Sequence, residues 1–303
     1  MVGVTRLYWN TTGTLVVTGL AGASGVYIKN DVLYISDFIN NTIVKTTSPL
    51  TSSFAYSIVV IITGISFPYP PIIDSLQQYM YIPDQGQDRV LKMSTAATST
   101  TNYQILAGVT GSPSISLNAL YGPCYLAFDS TESNIYVSDY GNSRILQFSV
   151  TSTSGTAGTL VAGNSGSGGN SATQLYDNIG IYYDSISNFL YVSNFAGHTV
   201  SRWTPGATTG TFVIGTPGIP GAGSTYLHNS IMVTMDRYRN LYVADASNSR
   251  VMLYCQGTFD GVTSSSGIPI LNFTYSPMGI AFDSLMNIYV ADYTYGVWKY
   301  LKL

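Results

Sequence analysis

The chain has 303 residues, of which 12 are Lys or Arg and 15 are Asp or Glu, giving a formal net charge of −3. This balance leaves no basic footprint for nucleic acid, and no apolar run is long enough to span a bilayer, so we expect neither a nucleic-acid partner nor a membrane span. Charged residues make up only 9% of the chain, so the surface has little charge repulsion to keep copies apart.

Six segments along the chain end in nearly the same phrase, an aromatic and β-branched run closed by Asp or Asn. They lie at residues 34–37, 81–84, 136–139, 191–194, 242–245 and 289–292. Their spacing of 47 to 55 residues suits one four-stranded propeller blade and not a helical repeat. The repeat predicts an all-β, six-bladed β-propeller with almost no helix.

Each unit has the same internal order of short runs. An apolar run that ends in an acid is strand a, the shared phrase is strand b, an alternating run after a polar turn is strand c, and a run ending in Gly is strand d. Four-stranded antiparallel blades are predicted. We place the six blades at residues 20–64, 65–108, 109–163, 164–215, 216–272, and 273–303 together with 5–19.

The last blade draws on both ends of the chain. The C-terminal residues 279–301 supply its strands a, b and c, and residues 14–19 supply strand d. The run Arg6, Leu7, Tyr8 and Trp9 is then a surplus strand. Either it runs along the rim or extends the outer strand of its own chain, or it pairs with a neighbouring molecule by strand addition and leads to a filament.

The turn after strand b carries the motif Asp-x-x-Asn-x-Arg-Ile, complete at residues 139–145 and nearly complete at residues 245–251. The Asp accepts from turn N–H groups, the Asn tolerates a left-handed position, and the Arg returns beside the Asp across the hairpin. The chain resembles the NHL-repeat propellers in this motif. Three blades depart from it, with Thr42, Thr199 and Val297 where the Arg would stand.

The strand-a residues that face the channel offer no ligand set for a metal. Aligning the repeats brings together Ser24, Tyr69, Cys124, Ile179, Ile231 and Met278. The chain is similar to amidating lyases and to gluconolactonase-type propellers, a resemblance that implies channel histidines in the first case and channel calcium in the second. Of the two histidines, His198 lies in a b–c turn and His228 precedes a strand a, and we expect them not to meet at one metal. No catalytic residue, cofactor or metal is predicted.

Two sets of surface residues are candidates for contacts. Tyrosines just before strands a would line a ligand site at the channel mouth, the alternative being that they fill gaps between blades: Tyr69, Tyr121, Tyr176, Tyr226 and Tyr275. Sequons make three asparagines glycosylation candidates: Asn10, Asn40 and Asn272.

These observations favour a non-enzymatic, extracellular structural or adhesive propeller that acts through contact with itself, with another extracellular protein or with glycans. The first residues do not form a signal peptide. One alternative is a carbohydrate or small-ligand binding module at the channel mouth. A second alternative is a metal-dependent lyase or lactonase.

Overall fold

A computed structural model of the chain describes residues 8–50, 55–97, 101–258 and 265–303. Over these residues the protein is a six-bladed β-propeller, and each blade is a four-stranded antiparallel sheet. The only helices among them are three 3₁₀ turns, at Gln85–Gln87, Tyr140–Asn142 and Ala246–Asn248. No helix in the described ranges is long and apolar enough to cross a membrane. The predicted fold class is confirmed.

The strands recur in the same order in every blade. Strands a lie at Ala23–Lys29, Ile72–Ile73, Pro123–Phe128, Asn178–Asp184, Ser230–Met235 and Pro277–Phe282. Strands b lie at Val32–Asp37, Tyr79–Asp84, Asn134–Asp139, Phe189–Asn194, Leu241–Asp245 and Ile288–Asp292. Strands c lie at Thr42–Thr46, Arg89–Ser94, Arg144–Ser149, Thr199–Trp203, Arg250–Tyr254 and Gly296–Tyr300. Strands d lie at Ile58–Ile62, Tyr103–Gly108, Thr159–Gly163, Thr211–Ile214, Ile268–Asn272 and, for blade six, Thr14–Val17.

Strands b and c are buried on both faces because each blade packs between two neighbours. In blade five all five residues of Leu241–Asp245 and all five of Arg250–Tyr254 are buried. Hydrophobic clusters fill the interfaces between blades, for example Leu126, Ile135 and Leu146 of blade three against Val90 and Leu106 of blade two. This burial explains why the repeated phrase is almost continuously apolar.

The ring closes in blade six, where Thr14–Val17 pairs antiparallel with Gly296–Tyr300. The described part of the surplus segment also stays within the chain. Trp9 bridges Lys302 and donates its Nε1–H to the carbonyl of Met286 at 2.9 Å, and it is buried. Tyr8 is exposed, whereas Arg6 and Leu7 lie outside the described residues.

The b–c turn works as the motif predicts, with one correction. Arg144 Nε donates to Asp139 Oδ2 at 2.7 Å, and Asn142 Nδ2 donates to the same oxygen at 2.9 Å. The left-handed residue is not the Asn but the one after it, Ser143 with φ 50°. The Asn was expected at that position because it tolerates positive φ, but its amide is needed as a donor to the acid, and Ser143 makes the bend.

Candidate functional site

The channel along the propeller axis has two different ends. We call the face with the b–c turns and the entries to strands a the upper face, and the face with the a–b turns the lower face. Near the upper face the channel is packed with side chains: Tyr69, Cys124, Ile179 and Ile231 are all buried. Burial also raises the pKa of the Cys124 thiol, so this cysteine is a packed apolar group and not a nucleophile.

Tyr125 spans the channel from blade three to blade six. Its hydroxyl donates to the carbonyl of Met278 at 3.0 Å, and its ring lies edge-on to Tyr69 at 5.5 Å. Glycine makes room for this plug, since a Cβ on Gly25 would lie 2.6 Å from Pro70 and 2.9 Å from the Tyr125 hydroxyl. The plug separates the upper mouth from the lower part of the channel.

The lower part of the channel is an apolar cavity of about 360 Å³. Its walls come from the second halves of strands a, and include Val26, Pro70, Ile181, Met232 and Phe282. The acids that end these strands are used as turn caps, as the repeat pattern indicates. Asp129, for example, accepts from the backbone N–H groups of Ser133 and Asn134. The acids are therefore scaffold residues and leave the cavity without a charged ligand.

The upper face brings the chain's two histidines into contact, which no sequence pattern indicated. The rings of His198 and His228 contact each other edge to face, with centroids 5.4 Å apart. His198 comes from the b–c turn of blade four and His228 from the entry to blade five, and neighbouring blades meet at these two elements. His228 is held by its backbone N–H, which donates to Asp245 Oδ1 at 2.7 Å.

The hydrogen bonds around His198 fix its tautomer. Its Nδ1 accepts from the backbone N–H of Asn229 at 3.2 Å, so in the neutral ring the proton is on Nε2. Burial and the neighbouring His228 lower the pKa of His198, against an opposing effect of Asp245. His198 is therefore an uncharged Nε2–H donor at neutral pH.

Two further titratable groups lie near the same mouth. Burial raises the pKa of Asp177, the residue before strand a of blade four. Burial also raises the pKa of Tyr140 in the b–c turn of blade three, and the charge of Asp177 adds to this effect. We call Tyr140, Asp177, His198 and His228 the upper-mouth cluster. Titratable groups with shifted pKa values are more frequent at functional sites, and Tyr140, Asp177 and His198 have such shifts.

The five candidate tyrosines do not form one ring. The backbone N–H groups of Tyr121 and Tyr176 donate to the last residue of strand b, which is the role that His228 has in blade five. Tyr69 instead lies inside the channel, and Tyr226 comes before His228 with its carbonyl accepting from Arg250. Tyr275 contacts Tyr295 through their hydroxyls at 2.7 Å. The sequence alignment was therefore out of register for Tyr69 and Tyr226, because the loops entering strands a differ in length.

The three sequon asparagines are all exposed. Asn10 accepts from the N–H of Thr12, and Asn40 Nδ2 donates to Asp37 Oδ2 at 2.8 Å. Asn272 ends strand d of blade five. Exposure permits a glycan at each position, and occupancy stays a prediction.

The calcium that the gluconolactonase resemblance implies does not fit the residues that are present. No group of three or more His, Cys, Asp or Glu side chains comes together within the described ranges. The channel ring offers Ser24, Tyr69 and Cys124 with three apolar residues, whereas calcium prefers carboxylate and carbonyl oxygens.

The fold defines the protein as a six-bladed propeller, and solved structures show which propellers it is similar to. No protein-family model matches the chain, and no curated protein matches it in sequence. A gluconolactonase from Xanthomonas campestris aligns with a TM-score of 0.67 and 14% identity, covering 96% of this chain and 89% of that one. A luciferin-regenerating enzyme aligns with a TM-score of 0.66 and 13% identity, covering 96% and 95%. A nidogen–laminin complex aligns over less, 77% and 76%, with a TM-score of 0.57 and 18% identity.

These neighbours correct the expectation of a non-enzymatic structural or adhesive protein. The two matches that cover nearly both chains are named as enzymes, so the prediction that this propeller is not an enzyme was wrong. That prediction rested on the absence of acids and histidines from the channel ring. The histidine pair was missed because it forms between two blades. At identities this low the similarity shows the fold alone, and no activity follows from it directly.

Proposed function

We propose that the protein is a hydrolase that acts on a small lactone or ester, with the upper-mouth cluster as its site. The observation that carries the proposal is the contact between His198 and His228 at 5.4 Å. The reaction class is supported by the full-length structural neighbours, one of which is named as a gluconolactonase.

The two rings suit complementary roles in ester hydrolysis. His198 presents an Nε2–H that can donate to a carbonyl oxygen as negative charge develops on it. His228, which contacts that ring, is the general base that takes a proton from the attacking water. The new bond joins the water oxygen to the carbonyl carbon, the ring or ester C–O bond breaks, and the proton passes to the leaving oxygen.

Asp177 is the candidate donor for the leaving oxygen. Its raised pKa, caused by burial, keeps a larger part of the carboxyl protonated in mildly acidic solution than is usual for Asp. With His228 as the base and Asp177 as the acid, the site has both partners that general acid–base hydrolysis needs.

The proposal is tested by turnover of a panel of γ- and δ-lactones and aryl esters without added metal. His228→Gln should lower kcat/KM by at least about 100-fold, since a positioned base contributes roughly 10² to 10⁴. Ser66→Ala is the matched control, because Ser66 donates its N–H to Asp84 as His228 does to Asp245. Full activity in His228→Gln, or no turnover of any substrate by the wild-type protein, would overturn the assignment.

The pH dependence gives a second readout. Because the pKa of His198 lies below its ordinary 6.5, its neutral donor form is present at pH 6.5 and is lost only as the pH falls through the lowered value. The pKa of the His198 imidazole, read from the pH dependence of its ring C–H signals in NMR spectra, should therefore lie below 6.5. A value above 6.5 would contradict the role given to His198.

Membership of the NHL-repeat class is a further part of the proposal. It is supported by the paired hydrogen bonds of Asp139 with Asn142 and Arg144, and by the same set at Asp245 with Asn248 and Arg250.

A further inference from the structure

The acid that ends strand b is satisfied in almost every blade. In blades two, three and five it binds an arginine from the start of strand c, with Nε to Oδ2 distances of 2.7 Å. In blade three the guanidinium also donates to the carbonyls of Ile115, Ser116 and Ala119. The arginine thus joins the acid to the loop that enters strand a.

Blades one and four lack the arginine and compensate in other ways. Asp37 accepts from the backbone N–H groups of Ala21 and Gly22 and from the Asn40 side chain. Blade four has the uncharged Asn194 in place of the acid. Neither blade leaves a carboxylate oxygen without a donor.

Blade six keeps the acid and has neither compensation. Both hydrogen bonds that Asp292 accepts from described residues go to Oδ1, from the backbone N–H groups of Thr294 and Tyr295. Asp292 as a residue is only 3% exposed, and none of the described residues donates a hydrogen bond to its Oδ2. The turn is also one residue shorter than in blade three, and Gly296, not Val297 as the sequence suggested, pairs with Asp292 in register. A glycine has no side chain to fill the space of the guanidinium.

A cavity of about 490 Å³ lies beside this carboxylate. Five aromatic residues line it beside Asp292, namely Phe273, Tyr275, Tyr295, Trp298 and Tyr300, and Leu15, Asn272 and Thr274 complete the wall. In blade three, residues 109–122 connect to strand a and cover the arginine, whereas in blade six the connection is residues 273–276. The shorter loop and the missing arginine together leave the space open.

We propose that this cavity binds a guanidinium cation, which takes the place of the arginine that blade six lacks. A planar guanidinium forms charge-assisted hydrogen bonds to a carboxylate and stacks on aromatic faces, and it loses less hydration than an ammonium. The same pairing is built into three other blades with the chain's own arginines. The ligand is either a free guanidino compound or the arginine side chain of a peptide, and the site is independent of the histidine pair.

The first test is calorimetric titration with N-acetylargininamide, and with the citrulline analogue as the uncharged isostere. Saturable binding of the arginine compound and none of the citrulline compound is expected. Asp292→Asn should weaken binding at least tenfold. Asp129→Asn is the control, because it removes the same charge from a turn cap on the lower face and should leave binding unchanged.

A second variant fills the site from within. Replacing residues 293–296 by the blade-five turn, residues 246–250, brings an arginine next to Asp292 and should abolish binding. Peptides that end in arginine distinguish the two sources, since tighter binding than N-acetylargininamide indicates a peptide and equal binding a small molecule. The proposal would be overturned if neither N-acetylargininamide nor the peptides that end in arginine gave saturable binding. Equal affinity of the wild-type protein and Asp292→Asn for these compounds would also overturn it.

Discussion

The b–c turns of blades three and six begin with the same acid, but only the acid of blade three is paired with an arginine. Asp139 in blade three is fully buried beside a fully buried Arg144, and its carboxylate accepts from three donors. Asp292 in blade six accepts from two backbone N–H groups on one oxygen and faces an aromatic cavity. The acid at this repeat position therefore stabilises the fold in blade three and is open to a ligand in blade six. The difference is the arginine, which is present beside Asp139 and absent beside Asp292.

The largest effect is expected from Arg144→Met in blade three. The change leaves a buried carboxylate without its counter-charge and removes the donors to three loop carbonyls, so the free energy of unfolding should fall by about 3–5 kcal/mol. Urea denaturation measures it. A loss below about 1 kcal/mol would mean that Asp139 does not depend on the arginine.

An intermediate effect is expected from Tyr125→Phe, since Tyr125 connects the two blades across the channel. The change removes the hydrogen bond to the Met278 carbonyl but keeps the ring, so the free energy of unfolding should fall by about 1–3 kcal/mol. Thermal unfolding with Tyr121→Phe as control measures it, because Tyr121 is 52% exposed. Equal melting temperatures for the two variants would show that the bond across the channel contributes nothing.

The smallest effect is expected from Asp292→Asn in blade six. Asn keeps an acceptor for the Thr294 and Tyr295 N–H groups and removes a buried charge without an arginine partner, so stability should change by less than about 1 kcal/mol or rise. Asp139→Asn is the matched variant and should cost much more, because Arg144 would lose its counter-charge. Equal losses in the two variants would remove the difference between the blades.

The sequence predicted the architecture well because the repeat is a local signal. Strand b packs between two neighbouring strands and blades in every repeat, so the same requirement for aromatic and β-branched residues recurs six times along the chain. The motif likewise predicted the bond between Asp139 and Arg144. The errors came where loops differ in length. Tyr69 and Tyr226 were aligned with residues that have other roles, and Val297 was placed at the arginine position of blade six, where Gly296 pairs with Asp292.

The amino-acid sequence by itself determined the number of blades, the order of their strands and the acid–arginine pairs, because each depends on residues close together in the chain. The tertiary structure alone decided which distant groups meet. His198 contacts His228, the Tyr125 hydroxyl reaches the carbonyl of Met278, and a cavity lies beside Asp292. The two contacts join residues of different blades. All three features depend on how the blades pack around the axis and not on any local pattern.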